Sequence, residues 1–218
     1  MSEALEFLND LFAKAKKAGA DAADGHHVTS QSLSTSMRMG NREDLERSES
    51  LDMMLRVFIG QRQACVASSD TSPLAMEDLV ARAVAMAKAA PEDPYCGLAP
   101  EDRLARSWPE LDLYDDFEYD AEALYGLAAE AEDAALAVEG VSNSNGAGAG
   151  WSSGEVAIAT SHGFAGTYKS SNYSVSASVL AGGGTERESD YDYSSKRHHD
   201  ELEDAATIGR NAGERTVR

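Results

Sequence analysis

Five histidines, two cysteines, one Gly-x-Ser-x-Gly run and two acid-rich stretches are the parts of this sequence best equipped for chemistry. A hydrolytic zinc centre on a helix needs two histidines one turn apart and a glutamate placed to activate water. His26, His27, His162, His198 and His199 do not meet that need, because neither HExxH nor HExxxH occurs in the 218 residues. His198 and His199 are adjacent, so they diverge by ~100° on a helix or face opposite sides of a strand. The stretch HHDELE places acids beside them, and a surface metal could sit there. A solvated polar turn accounts for the same residues and is the reading adopted. His26 and His27 have the same adjacency, and His162 precedes Gly163 in a turn pattern that fits a structural role.

Gly150-Trp151-Ser152-Ser153-Gly154 fits the spacing of a nucleophile elbow, which requires a strand before the serine and a helix after it. The next residues, EVAIAT, have strand character, so the run is expected to be a hairpin turn. Gly146-Ala147-Gly148-Ala149-Gly150 resembles a phosphate-binding loop, but it leads into Trp151 and a further strand rather than a helix. Glycines in such a setting mark bulges or close backbone approach. The acid-rich stretches EDPYCGLAPED and ELDLYDDFEYD lack the D-x-D-x-D-G order of a calcium loop. Cys65 and Cys96 read as reduced thiols, too few for a zinc site of their own. No catalytic, cofactor-binding or metal-ligating residue is assigned from these patterns.

The formal net charge of −19 argues against direct nucleic-acid binding, which needs clustered Lys and Arg to neutralise phosphates. Solubility and an acidic proteome explain such a charge without an acidic docking surface. No apolar run approaches the ~20 residues that span a bilayer. The acidic, amphipathic start MSEALEFLND has neither the basic region nor the cleavage site of a signal peptide, so a cytoplasmic, non-membrane protein is expected.

The elements that must position these residues follow from periodicity and end signals. Leu5, Leu8, Phe12 and Ala15 form one stripe of a helix over 3–19, with acids early, lysines late and Gly19 as its stop. A strand is expected near 26–38, a polar turn at NRED, and a second strand carrying Met53, Leu55, Val57 and Ile59 on one face. Met54 and Phe58 make its other face apolar too, so cover on both sides is expected. RQACVASS returns as a third strand. Ser72-Pro73 starts a helix that Pro91 ends. Residues 91–119 hold four of the five prolines and read as an irregular connection. Asp120 starts a helix to about Val138, followed by a strand-rich block over 140–197. There EVAIAT lies between the turns SSG and SHG, and Tyr173, Val175, Ala177, Val179 and Ala181 alternate with serines. Gly182–Gly184 reads as a turn. A last helix begins near Asp204 and still runs at Arg218, which suggests a truncated chain. The fold class expected is α+β, with mostly antiparallel sheets flanked by helices and a helix–strands–helix order in both halves. The lobes are drawn at 1–95 and 120–218, joined by 96–119.

Several stretches in this order resemble the TldD/PmbA family. They are KKAGADAADGHHVTSQSLSTSMRMGNREDLERSESLDMMLRVFIGQRQACVASSD, then LVARAVAMAKAAPEDPY and LDLYD, then SHGFAGTYKSSNYSVSASVLAG and DYDYSSKRHHDELEDAATIGRNAGERTV. The PEDPY segment and the Y-x-Y-S-S-x-R-H run look more like the TldE (PmbA) type than the TldD type. Met53-Met54 and His26-His27 depart from the usual pattern. The resemblance implies a soluble cytoplasmic heterodimer that trims unfolded peptides, including peptide-antibiotic precursors. In it the TldD-type partner supplies zinc or iron ligands through an HExxxH helix and a later cysteine. The subunit resembled here lacks those ligands and would bind no cofactor in this chain. An acidic regulatory protein, a modulator of DNA gyrase with no role in proteolysis, is the alternative the family's older name implies.

Overall fold

The structure is a computed structural model and describes residues 2–218. Helix α1 spans Glu3–Lys17. Ser2 caps it by accepting from the Leu5 N–H, and its lysines lie in the last turn, where they complement the carbonyl end. The helix ends two residues before the expected limit at Gly19, which turns the chain out of it at φ +104°. Strand β1 follows at once, over Ala22–Arg38, and β2 spans Asn41–Ile59. The turn between them is Met39-Gly40, not the expected NRED, whose residues already belong to β2. Both turn residues have positive φ, +49° and +72°, the geometry that matches the twist of flanking strands.

Strand β3 spans Arg62–Ser68 and pairs antiparallel with β2, Leu55 opposite Val66 and Val57 opposite Ala64. Helix α2 spans Pro73–Ala89, with Ser72 as its cap. A short 3-10 turn at Glu101–Arg103 interrupts the irregular connection, and Asp120 caps α3, over Ala121–Leu136. Strand β4 runs unbroken over Val141–Thr160, β5 over Ala165–Gly183 and β6 over Glu186–Lys196. The SSG segment is therefore strand, not turn. Extended backbone there is satisfied on both sides by neighbouring strands, which outweighs the turn preference of Ser and Gly. Gly182 and Gly183 also pair, opposite Arg187 and Glu186, so the turn falls after them. Helix α4 spans Ala205–Thr216 and ends two residues before the expected limit, capped by Val217. The strands form one antiparallel sheet of order β3-β2-β1-β4-β5-β6, and with the helices this is the α+β class expected.

Two compact units share the chain, and each draws on separate stretches of it. The first comprises residues 1–30, 50–111 and 155–169; the second comprises 31–49, 112–154 and 170–218. They differ from lobes drawn along the sequence because β1, β2, β4 and β5 each contribute residues to both units. In the first unit Leu8, Leu11 and Phe12 of α1 and Leu79, Val80 and Ala83 of α2 cover Met53, Leu55, Val57, Ala157 and Ala159. Phe58, on the opposite face of β2, is buried beneath the Arg56 guanidinium, 5.1 Å from its ring centre, and Arg56 is paired with Asp24. In the second unit Leu124, Ala128, Ala131 and Ala135 of α3 and Ile208 and Ala212 of α4 cover Trp151, Tyr173, Val175, Ala177 and Val179.

The two helices of the second unit touch backbone to backbone. A Cβ at Gly209 would lie 1.9 Å from the Ala131 carbonyl oxygen, and one at Gly213 would lie 2.8 Å from that of Ala135. Small residues at this crossing are what let α3 and α4 approach.

Candidate functional site

The acidic stretch at 110–120, expected as a plain connection, carries the partners of two histidines. Within the second unit Asp115 Oδ2 accepts from the backbone N–H of His199 at 2.9 Å and lies 2.6 Å from its Nδ1. Asp115 Oδ1 accepts from the Phe117 N–H at 3.0 Å, which bends the segment back on itself. The His199 ring stacks on Phe117, centroids 3.9 Å apart, with Tyr119 and Tyr173 edge-on at 6.3 and 6.0 Å. His198 Nε2 lies 3.3 Å from Asp112 Oδ1. Neither histidine is thus a merely solvated turn residue. The 3-10 turn at His199–Glu201 lets the two adjacent side chains reach two carboxylates three residues apart.

Strand β5 holds the other side of the segment. Ser171 donates its N–H to the Leu113 carbonyl at 2.9 Å, accepts from the Asp115 N–H at 2.9 Å and donates its hydroxyl to the Arg197 carbonyl at 2.7 Å. The Tyr173 hydroxyl reaches the carbonyls of Phe117 at 2.5 Å and Asp115 at 3.2 Å, and the Trp151 ring N–H donates to that of Tyr119 at 2.9 Å. Burial by itself would push the Asp115 carboxyl up. Hydrogen bonds from the His199 backbone and ring and from Phe117 outweigh it and hold the carboxyl down at about 2. Burial first, then the Asp115 charge, pushes the Tyr173 phenol up to about 12. The bond to Asp112 raises the affinity of His198 for its proton.

An aspartate set against Nδ1 fixes an imidazole's orientation, as in acyl-transfer triads, but a nucleophile must face Nε2 for that chemistry. The nearby hydroxyls are committed elsewhere: Ser171 to Arg197, and Tyr173 to the segment's carbonyls. The cluster is a clasp that straps residues 112–119 onto β5.

The remaining sequence candidates lie apart from it. His27 sits in β1 with its ring edge-on to Phe7, 5.6 Å between centroids, and His26 precedes it in the same strand. His162 bonds Thr160 Oγ1 at 2.9 Å and the Ala99 carbonyl at 2.7 Å, tying the β4–β5 turn to the connection within the first unit. Ser152 and Ser153 lie in mid-strand, and Ser153 accepts from Gln31 at 3.2 Å, so no elbow forms. The glycines at 146, 148 and 150 are strand residues too. A Cβ at Gly150 would lie 3.1 Å from both the Leu33 carbonyl oxygen and the Ser34 Cβ. Cys65 and Cys96 are free thiols. Among the described residues no three His, Cys, Asp or Glu side chains converge where a metal ion could bind, so no metal-dependent step is derived through them.

A buried carboxylate escaped the sequence reading. Glu132, 1% exposed, accepts from the N–H groups of Met39 at 2.9 Å and Gly40 at 2.8 Å and from the Ser144 hydroxyl at 2.5 Å. It fixes the β1–β2 turn at its two left-handed residues. The available signal was its place on the apolar stripe of α3, four residues after Ala128.

Comparison with known proteins places these units. Residues 27–87 match the model of the PmbA/TldA metallopeptidase domain 1, and residues 114–218 match that of the PmbA/TldA metallopeptidase central domain. The chain is 36% identical over 219 residues to a Metalloprotease PmbA homolog of Haemophilus influenzae, covering 100% of this chain and 48% of that protein. It is 29% identical to Metalloprotease PmbA of Escherichia coli O157:H7, covering 97% of this chain and 48% of that one. The chain thus spans about half the length of the curated relatives it matches. Its fold is similar to a candidate modulator of DNA gyrase from Bacteroides thetaiotaomicron, with TM-score 0.92, 23% identity and coverage of 100% and 50% of the two chains. It is also similar to TldE from Thermococcus kodakarensis, with TM-score 0.82, 16% identity and coverage of 97% and 47%. Two successive domains of one family, matched in order over most of the sequence, establish that this chain belongs to the TldD/PmbA family.

Proposed function

We propose that this chain is the amino-terminal part of a TldE (PmbA) type subunit, a non-catalytic partner in a cytoplasmic metallopeptidase that acts on unfolded peptides such as peptide-antibiotic precursors. The ordered match to the first two domains of the family, alongside relatives named PmbA, carries this reading. In this reading the family's catalytic metal, zinc or iron, would be held by a TldD-type partner. The Asp115–His199 clasp fits the same reading, because it positions backbone and presents no nucleophile. The test is cleavage of an unfolded peptide by the TldD-type subunit with and without the full-length form of this one. Dependence on this subunit is expected; equal rates in its absence would refute the reading.

A second reading, an acidic regulator of a DNA enzyme, is favoured by two similar structures described as candidate modulators of DNA gyrase. The net charge of −19 would suit a basic protein surface. Affinity capture that recovers gyrase and no TldD-like protein would support it over the first.

A further inference from the structure

The sheet of the second unit has one face covered by α3 and α4 and one left bare. On β5 the buried Tyr173, Val175, Ala177 and Val179 alternate with Ser174, Ser176 and Ser178 on the bare side. Tyr191 and Tyr193 of β6 stand opposite Ser178 and Ser176, stacked with centroids 6.2 Å apart and 58% and 60% exposed. On β4 that side carries the half-buried Gly146 and Gly148 and the exposed Asn145, whose amide donates to Ser178 and Ser189 at 3.3 and 2.9 Å, while Gly150 is buried against β1. On β1 it carries Ser34 and Ser36, which alternate with Thr35 and Met37.

The floor is flat for a steric reason. A Cβ at Gly148 would lie 3.2 Å from the Thr35 carbonyl oxygen, so a side chain there would crowd β1. Ser34, Ser174 and Ser176 keep their hydroxyls without a partner among the described residues. The residues named on β4, β5 and β6 are uncharged, in a chain of which 26% is charged, and at the β1 edge Ser36 donates to the Asp44 carboxylate at 3.1 Å.

These features select an occupant. Four strands at ~4.8 Å spacing and rows of about six residues give a face of roughly 19 by 20 Å, or ~400 Å². That is half the ~800 Å² each partner contributes to a standard interface, so a second copy seated here alone would be held weakly. A single extended segment of about six residues matches the length. Serine hydroxyls both donate and accept, so they can meet backbone amides of any sequence, and exposed tyrosines offer ring faces. Tyr, Ser, Gly and Asn surfaces bind polypeptide adaptably for these reasons. A neutral floor leaves the choice of partner to shape and backbone rather than to charge.

We propose that the bare Ser–Gly–Tyr face of the second unit's sheet docks an extended, unfolded segment of polypeptide lying flat across β1, β4, β5 and β6. This rests on the peptide-handling role proposed above and gives the peptide a place on this chain.

The experiment titrates the full chain into a fluorescein-labelled, uncharged, unstructured peptide of Gln, Ser and Ala and follows anisotropy. Ser176→Lys and Tyr193→Ser, both at exposed positions, are each expected to weaken binding about 10-fold or more, with Ser176→Thr near the parent and all melting temperatures alike. No binding by the parent, unchanged binding by Ser176→Lys, or a dimer of the chain that Ser176→Lys disrupts would overturn the proposal. The two readings fail separately. Weakened binding by Ser176→Lys, with peptide cleavage that does not depend on this subunit, keeps the docking face and refutes the subunit role. Unchanged binding with subunit-dependent cleavage does the reverse.

Discussion

Replacing Glu132 tests whether one buried carboxylate fixes the β1–β2 hairpin. Its two oxygens take three donors, the N–H groups of Met39 and Gly40 and the Ser144 hydroxyl, at 2.9, 2.8 and 2.5 Å. In Glu132→Gln the new oxygen best occupies the site that serves both Met39 and Ser144. The new NH2 then faces the Gly40 N–H, donor against donor. One charge-assisted bond is lost and its donor left unpaired, a cost of about 2 kcal/mol. Glu132→Ala removes all three bonds and leaves the Met39 and Gly40 amides without an acceptor at positive φ, a cost of about 4 kcal/mol. For a chain of this size each kcal/mol lowers Tm by about 2–4 °C, so drops of about 4–8 °C and 8–16 °C are expected. Urea unfolding supplies the free energies, and amide hydrogen exchange at Met39 and Gly40 reports the turn. The reasoning is refuted if Glu132→Gln stays within about 0.5 kcal/mol of the parent, a surface-like value, or if the alanine variant is no worse than the glutamine one.

Three further outcomes can be checked. Gly209→Ala brings a methyl within 1.9 Å of the Ala131 carbonyl oxygen, so α3 and α4 must part. The overpacking cost of about 3 kcal/mol exceeds the ~1 kcal/mol gained in helix propensity, and a net loss of about 2 kcal/mol is expected in denaturant titration; a stabilised variant would contradict the crossing geometry. The strap at 112–119 should respond to pH in two directions. Asp115, held down at about 2, contributes stability that is present above its ordinary carboxylate pKa and lost as pH falls toward 2. His198, with its proton affinity raised, contributes stability that is full below about 6.5 and lost as pH rises through its folded value. Hydrogen exchange of the Asp115 and His199 amides should therefore be slowest, after correction for intrinsic rates, from about pH 4 to 6.5, and a flat profile would argue against the clasp. Acrylamide should quench Trp108, 53% exposed, far more than Trp151, 7% exposed and bonded to Tyr119. Trp108→Phe should remove most of the quenchable emission, and equal quenching of both rings would misplace one of them.

Relations within a few residues were legible in the sequence. Ser72-Pro73, Asp120 and Asp204 announced three helix starts because a capping hydroxyl or carboxylate acts on amides two or three residues on. The alternation from Tyr173 to Ala181 announced a strand with one buried face because side chains alternate by covalent geometry. Together with the family's ordered motifs these gave the fold class. Tertiary structure decided the rest. Strand β4 passes through Ser152-Ser153-Gly154 because strands on either side satisfy its backbone, a fact absent from the local residues. Asp115 meets His199 across 84 residues, and Glu132 meets Met39 across 93. In the sequence Asp115 is one acid in a run of acids, and Glu132 is one of several on its helix. What separates them from their neighbours is the set of donors that folding brings to each carboxylate, and a donor contributed by a distant turn leaves no periodic or local trace in the chain.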